Sequence, residues 1–186
     1  PCPEAGAALI EALGRTKGLV KAGIIHSLGL RRESRAVTPF IELLEDPDLD
    51  VARAAATALG RIGGAPAVNA LRAAFPYKSM GGPREAIYDA LLTAANRDLA
   101  EGRKGEAVGV FRQFLTAPVP DHIRAAAYRG LVLASPPGRA VELVRTALRN
   151  ERGPDQMAAI EAAEVLSLPE LTPVLCEAAA KAAPPL

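Results

Sequence analysis

The chain has 186 residues, of which 49% are hydrophobic and 23% are charged, and its formal net charge is +1. This composition is that of a globular protein, and the length is enough for one domain with a sizeable core. The small net charge argues against a strong overall attraction to nucleic acid or acidic lipid. No stretch of 18 consecutive apolar residues occurs, so no transmembrane span is predicted.

The two ends of the chain give further expectations. The two cysteines, Cys2 and Cys176, lie near opposite ends and do not indicate a disulfide framework or a zinc site. Cys176 falls in a helical pattern of Leu and Ala and is expected to be a small packing residue. Because the first residue is Pro1, we expect a piece of a longer chain, with any targeting signal before it and the compartment unknown.

A two-helix unit of about 31 residues recurs along the chain, which predicts a repeat protein. Its clearest copy runs from Asp46 to Phe75. In chain order we predict a leading helix over residues 3–14 and then five repeats over about 18–46, 50–75, 83–115, 120–149 and 154–182. Apolar residues recur at helical rather than alternating spacing, so about eleven helices in a single domain are expected.

Three aspartates, Asp46, Asp48 and Asp50, open the clearest copy. A carboxylate at this place accepts the free N–H groups of a helix start and faces the positive end of the helix dipole. The same alternation matches the start of a calcium-binding loop, which needs Gly at its sixth position and Glu at its twelfth. Those positions hold Val51 and Thr57, so a helix start is predicted rather than a metal site.

Prolines, glycines and alanines predict where helices begin, end and approach one another. Pro66, Pro83 and Pro154 suit first turns of helices, whereas Gly60, Gly63-Gly64 and Gly138 suit helix ends or turns. Small residues that predict close helix contacts are Ala54, Ala55, Ala58, Ala126, Ala127 and Gly130. A large side chain at any of these positions would overpack the contact by roughly 1–3 kcal/mol.

The stretch VARAAATALGRIGGAPAVNALRAAF, residues 51–75, resembles the HEAT repeat, particularly the short HEAT-like type named after phycobilisome lyases. The resemblance is clearest over residues 20–75, and AEGRKGEAVGVFRQFL resembles the longer hairpins of bacterial HEAT-repeat proteins. It implies an all-α, right-handed α-solenoid of stacked antiparallel helix hairpins, with first helices on the convex side and second helices on the concave side. Members of the family mostly bind proteins, often as one module of a larger chain.

The alignment of the second helices singles out three arginines as candidate partner-binding residues. Arg72, Arg112 and Arg145 each follow the first aligned valine of their helix by four residues. At about 100° per residue this position lies at the edge of the apolar stripe, so stacked repeats would align the arginines along or near the concave wall. The line would bind an acidic peptide or another anion through bidentate contacts. Alternatively, the arginine stems cover neighbouring helices and their heads meet acids such as Glu142.

Other residues give weaker signals. Tyr88 and Tyr128 occupy equivalent places in successive first helices, as either a contact pair on the convex side or ordinary amphipathic edge residues. The loop over residues 76–82 is either a binding tip or a spacer. His26 and His122 have no second ligand at a metal-like spacing and are expected at the surface. We find no arrangement typical of a catalytic, cofactor-binding or metal site, so none is predicted.

These observations favour a non-catalytic scaffold that binds a protein or peptide, acidic in character if the arginines contact it, with further domains in the same chain. The first alternative is an accessory subunit or module of an enzyme, since bilin lyase accessory proteins and some DNA glycosylases resemble HEAT folds. A glycosylase traps a base against aromatic residues, notably Trp, in a basic groove, and this chain has no Trp and is nearly neutral. The second alternative is nucleic-acid binding through the arginine line, which the small net charge disfavours.

Overall fold

The computed structural model of the protein describes residues 3–75, 83–150 and 152–182, and this part of the chain contains eleven α-helices and no strand. The helices are α1 (Pro3–Leu13), α2 (Gly18–Leu30), α3 (Val37–Glu42), α4 (Leu49–Ile62), α5 (Gly64–Ala74), α6 (Arg84–Ala100), α7 (Lys104–Thr116), α8 (Asp121–Ala134), α9 (Pro137–Arg149), α10 (Gly153–Leu166) and α11 (Leu171–Ala182). Short 3₁₀ turns, Ser34–Ala36 and Leu43–Glu45, flank α3. The predicted all-α class and helix number are confirmed. No helix in these ranges is long and apolar enough to cross a membrane.

The chain divides into two compact units, Pro1–Ala94 and Ala95–Leu186, and the division falls inside α6. In the first unit α2 packs along α4, and both α3 and α5 also contact α4. In the second unit α8 packs against α7 and α10, and α9 contacts α10 and α11. Each unit is thus built from helical hairpins whose first helices, α2, α4, α6, α8 and α10, alternate with second helices. The single repeat domain expected from the sequence stays a prediction.

The aspartate run opens α4 as predicted. The Asp48 side chain caps the helix by accepting the backbone N–H of Asp50 at 3.0 Å, and Asp46 accepts the N–H of Asp48 at 2.9 Å. At the other end Gly63 has a φ of 64° and donates its N–H to the Leu59 carbonyl at 2.8 Å. Only glycine adopts this backbone conformation without strain, so Gly63 both ends α4 and sets the turn into α5.

Successive first helices of the first unit meet at a glycine. A Cβ atom at Gly60 would lie 2.6 Å from the Cα of Ala90, and one at Gly29 would lie 2.9 Å from the Cα of Ala58. Gly60 therefore lies inside α4 at a helix contact, which corrects the expectation that it marks a helix end. Gly138 lies in the first turn of α9, at a helix end as the sequence predicts. Gly60 resembles a helix terminator in sequence because composition alone does not distinguish a helix stop from a close approach.

The cores are built mainly of alanine, leucine and valine, with a few larger side chains. Fully buried large side chains include Phe40, Ile25 and Leu59 in the first unit and Phe111 and Phe114 in the second. Burying each stabilises the fold by roughly 1.5–3 kcal/mol relative to leaving it exposed. Cys176 is exposed on α11, so the expectation that it packs in a core is wrong, and Cys2 lies outside the described residues.

Two carboxylates are buried in the second unit, and each is paired with an arginine. Asp98 accepts hydrogen bonds from Arg103 across the turn between α6 and α7. Asp155, in the first turn of α10, accepts the Nε–H of Arg124 on α8 at 3.2 Å, and the same guanidinium donates to the Leu115 carbonyl at 2.6 Å. One arginine therefore ties the starts of α8 and α10 to the end of α7.

Candidate functional site

The three arginines selected from the sequence have different surroundings. Arg72 near the end of α5 and Arg112 on α7 are exposed, whereas Arg145 on α9 is half-buried and forms an ion pair with Glu142 one turn earlier. Arg112 has no ion-pair partner among the described residues. The alternative interpretation, in which the guanidinium group of an arginine pairs with a nearby carboxylate, therefore holds for Arg145. Because Arg72 belongs to the first unit and the other two to the second, their alignment as one line stays a prediction.

Arg145 also lines a narrow cleft between α9 and α11. Glu177 lies in this cleft and accepts a hydrogen bond from Lys181 at 2.8 Å. The Lys181 ammonium, helped by Arg149 and Arg145, holds the pKa of Glu177 below its ordinary value. The cleft is small, with a volume of about 20 Å³. Arg145 and Lys181 are each paired with a glutamate, so the cations of this cleft are largely compensated.

Tyr88 and Tyr128 do not form an exposed contact pair. Tyr88 is 4% exposed and its ring stacks at an angle on Phe75, with centroids 5.3 Å apart. Tyr128 is 6% exposed and donates its hydroxyl hydrogen to the Leu143 carbonyl at 2.8 Å. Both rings therefore pack inside their own units, which corrects the convex-side contact hypothesis. The physical reason is that a tyrosine at the stripe edge gains more by burying its ring against the second helix.

A groove with a volume of about 610 Å³ lies between the first helices α8 and α10 of the second unit. Six apolar residues line it, namely Ala125, Ala126, Pro154, Met157, Ala158 and Val165. Met157 and Val165 are 58% and 61% exposed. An accessible patch with two such side chains and small neighbours is the kind of surface that monomeric proteins use for interaction.

The helical spacing explains why these residues face one channel. On α10, Pro154, Met157, Glu161 and Val165 recur every three or four residues and so lie along one side of the helix. On α8 the corresponding side carries alanines, whose small size leaves the channel open. Ala126 is exposed in this channel, which corrects the prediction that it mediates close helix approach.

Charged side chains form the rim of the groove. Arg129 on α8 reaches Glu161 on α10, with Nε 3.7 Å from Oε2, and both side chains are substantially exposed. Glu164 is exposed and has no ion-pair partner among the described residues. His122 also lines the groove. It is exposed, as the sequence predicts. Two carboxylates thus face one guanidinium along this rim.

A largely buried ion pair joins the two helices that form the groove. Arg124 on α8 donates to Asp155 in the first turn of α10, and Tyr128 on α8 donates its hydroxyl hydrogen to the Leu143 carbonyl on α9. Asp155 Oδ1 has no hydrogen-bond partner in the described part of the chain. Removing Arg124 would leave the buried Asp155 charge uncompensated, so this pair holds the starts of α8 and α10 together.

Other polar features of the surface are explained by local structure. A polar pocket of about 370 Å³ near the starts of α2 and α4 contains the Lys21–Asp46 ion pair, at 3.4 Å, beside the aspartates that open α4. His26 is exposed on α2 and its Nδ1 lies 3.1 Å from an Arg61 nitrogen. Within the described ranges no group of three or more His, Cys, Asp or Glu side chains is placed to hold a metal ion. The loop over residues 76–82 lies outside the described residues.

Sequence reasoning did not find the groove. Met157 and Val165 fit the apolar pattern of the last first helix, which would place them in the core, and the alanines of α8 fit a packing face. Their exposure depends on how far apart α8 and α10 stand, and no single-helix pattern contains that information. The one available signal was the presence of two large apolar residues on a helix whose buried side is otherwise alanine.

Comparison with known proteins agrees with this fold. Residues 6–92 match the family model for HEAT repeats. The structure of the complex of CpcE and CpcF of phycocyanin lyase from Nostoc sp. PCC7120 is similar, with a TM-score of 0.51 and 22% sequence identity over 93% of this chain and 68% of that chain. No curated protein sequence matches significantly. Residues 6–92 therefore resemble HEAT repeats, and the helical-hairpin fold continues beyond them.

Proposed function

We propose that this chain is a non-catalytic protein-binding module that holds a segment of a partner protein in the groove between α8 and α10. The observation that carries the proposal is the exposure of Met157 and Val165, 58% and 61%, in a groove whose two helices are joined by the Arg124–Asp155 ion pair. Exposed apolar side chains on helices that are already held together bind a partner without first having to be ordered, which reduces the entropic cost of binding.

The structural comparison supports a protein partner. The similar chain comes from the structure of the complex of CpcE and CpcF of phycocyanin lyase, so it has a protein partner there. A likeness of 22% identity shows a common fold, so the lyase activity belongs to that complex. The second candidate function, an accessory module of an enzyme, rests on this likeness and also requires a protein partner. The two candidates differ in whether the captured partner is an enzyme.

The test compares proteins captured by the wild type and by three surface variants, using quantitative mass spectrometry. We expect Met157→Glu with Val165→Glu to remove the specifically captured proteins, because each introduces a charge into the apolar channel. Leu30→Glu is the matched control, since Leu30 is 63% exposed on α2, outside the groove. All of these positions are at the surface, so the free energy of unfolding of each variant should stay within about 0.5 kcal/mol of the wild-type value. Melting temperatures check this.

The same experiment tests the arginine hypothesis. We expect Arg72→Glu with Arg112→Glu to retain the partners that the groove variant loses. Loss in the arginine variant alone would move binding to the second helices and an acidic partner. Equal capture by the wild type and the groove variant would overturn the proposed function.

A further inference from the structure

The groove between α8 and α10 also indicates what kind of segment occupies it, an inference that rests on the proposed function. Met157 and Val165 are eight residues apart on α10, which corresponds to about 12 Å along the helix axis at 1.5 Å per residue. Two apolar side chains seven or eight residues apart on a second helix have the same separation. A partner helix lying along the groove would therefore meet both exposed side chains with one face.

Backbone chemistry favours a helix over an extended peptide. The groove walls are helices whose backbone N–H and C=O groups bond within their own helix. An extended segment entering this channel would find no sheet edge to satisfy its backbone, whereas a helix satisfies its own backbone groups internally. The channel is lined by alanines on α8, which leaves room for the side chains of one helix face. Met157 is unbranched and flexible, so it can adapt to the shape of an incoming apolar residue.

The rim determines the charge of the occupant. Arg129 is compensated by Glu161, while Glu164 faces solvent without an ion-pair partner in the described chain. Two carboxylates against one guanidinium leave one negative charge beside the apolar channel. A lysine or arginine on the occupant would pair with Glu164, whereas a glutamate there would be repelled.

We infer that the groove between α8 and α10 binds an amphipathic helix that carries apolar residues two turns apart and a basic residue positioned against Glu164. The expected partner segment is therefore apolar and basic. This is the opposite charge preference to the acidic peptide expected from the arginines of the second helices.

The probe is a fluorescent 18-residue alanine-based peptide with leucines at three successive positions of one face and a flanking lysine. Its affinity for the full chain is measured by fluorescence anisotropy. We expect the lysine peptide to bind and the otherwise identical glutamate peptide to bind about fivefold more weakly, the size typical of one exposed charge pair together with its reversal. A version with a central proline should lose binding, because proline breaks the helix.

The decisive variant is Glu164→Lys, which should reverse the preference so that the glutamate peptide binds more tightly. Glu170→Lys is the matched control, because it makes the same charge change at an exposed residue outside the groove. Unchanged preference in Glu164→Lys, equal binding of the proline peptide, or no binding of the lysine peptide would each overturn the inference. The capture experiment with Met157→Glu and Val165→Glu decides the proposed function independently, because it makes no assumption about the charge or shape of the partner.

Discussion

At the scale of single residues, the second unit depends on polar groups that are buried together. Asp155 and Arg124 form an ion pair between α10 and α8, and the Tyr128 hydroxyl donates to the Leu143 carbonyl. Burial raises the pKa of Tyr128 above its ordinary value, and the negative charge of Asp155 raises that pKa further. The ionised phenolate is therefore disfavoured in the folded chain.

This pKa shift predicts a loss of stability at alkaline pH. The stabilisation is fully present below the ordinary tyrosine value of 10.0 and is lost as pH rises through the higher pKa of the folded state. We expect Tyr128→Phe to weaken this alkaline decline, and to cost about 1–2 kcal/mol near neutral pH because the Leu143 carbonyl loses its buried donor. Urea unfolding from pH 8 to pH 11 measures both effects. Parallel pH profiles of the wild type and the variant would contradict the assignment.

Single residues also show where sequence reasoning was sufficient. Asp48 was recognised as the start of α4 because capping is a local interaction between residues two apart, and the structure confirms it. The burial of Tyr88 and Tyr128 is not predicted from the sequence. Whether a tyrosine ring at the edge of a stripe faces solvent or a neighbouring helix depends on what that neighbour places opposite it. Phe75 is the partner of Tyr88, and the Leu143 carbonyl is the partner of Tyr128. Neither partner belongs to the same helix as its tyrosine, so the pattern of one helix does not predict the contact.

At the scale of helices, glycine sets how closely the first helices of the first unit approach. A methyl group at Gly60 would meet the Cα, the carbonyl oxygen and the Cβ of Ala90 at 2.6–2.8 Å. Two of these atoms are backbone, so they cannot move aside as a flexible side chain would. Gly23, which is helical and exposed on α2, has nothing within 4 Å of the corresponding position.

These two glycines provide a matched pair of substitutions. We expect Gly60→Ala to destabilise the protein by about 1–3 kcal/mol through overpacking. The same change at Gly23 should stabilise it by about 0.5–1 kcal/mol, because alanine is the better helix former. Chemical denaturation of the two variants measures the difference. A stabilising Gly60→Ala would show that α4 and α6 separate without cost.

Helix boundaries were predicted where they depend on local chemistry. The second helix of the third repeat, α7, begins at Lys104. Gly102 has a φ of 82° and makes the turn, so Gly105 is free to lie inside the helix. Gly102 and Gly105 look equivalent in sequence. The turn forms at Gly102 because Asp98 and Arg103, on either side of it, close the turn with hydrogen bonds.

At the scale of the whole molecule, charge balance limits the function. The net charge of +1 is accompanied by ion pairs that occupy many of the basic side chains, including Arg124, Arg129 and Arg145. Compensated cations release few counterions on contact with phosphates, so they contribute little to nucleic-acid affinity. This balance supports a protein partner over a nucleic acid.

The charge balance gives a direct prediction for nucleic-acid binding. We expect no measurable binding to a fluorescent DNA duplex at 50 mM salt, and no change in Arg72→Glu with Arg112→Glu. Fluorescence anisotropy against salt concentration is the measurement. Tight binding at low salt that falls by orders of magnitude by 200 mM would instead support the arginine line as a phosphate-binding track.

The sequence by itself determined the all-α class, the helical repeat and the placement of most helices, because periodicity, caps and turns act over a few residues. Only the tertiary structure decided which faces of the alanine-rich helices are covered. The alanines of α8 and α4 look alike in sequence, yet Ala58 contacts Gly29 while Ala126 lines an open groove. The physical reason is that burial depends on the distance to a neighbouring helix, which is set by contacts between residues about 30 positions apart, such as Arg124 with Asp155.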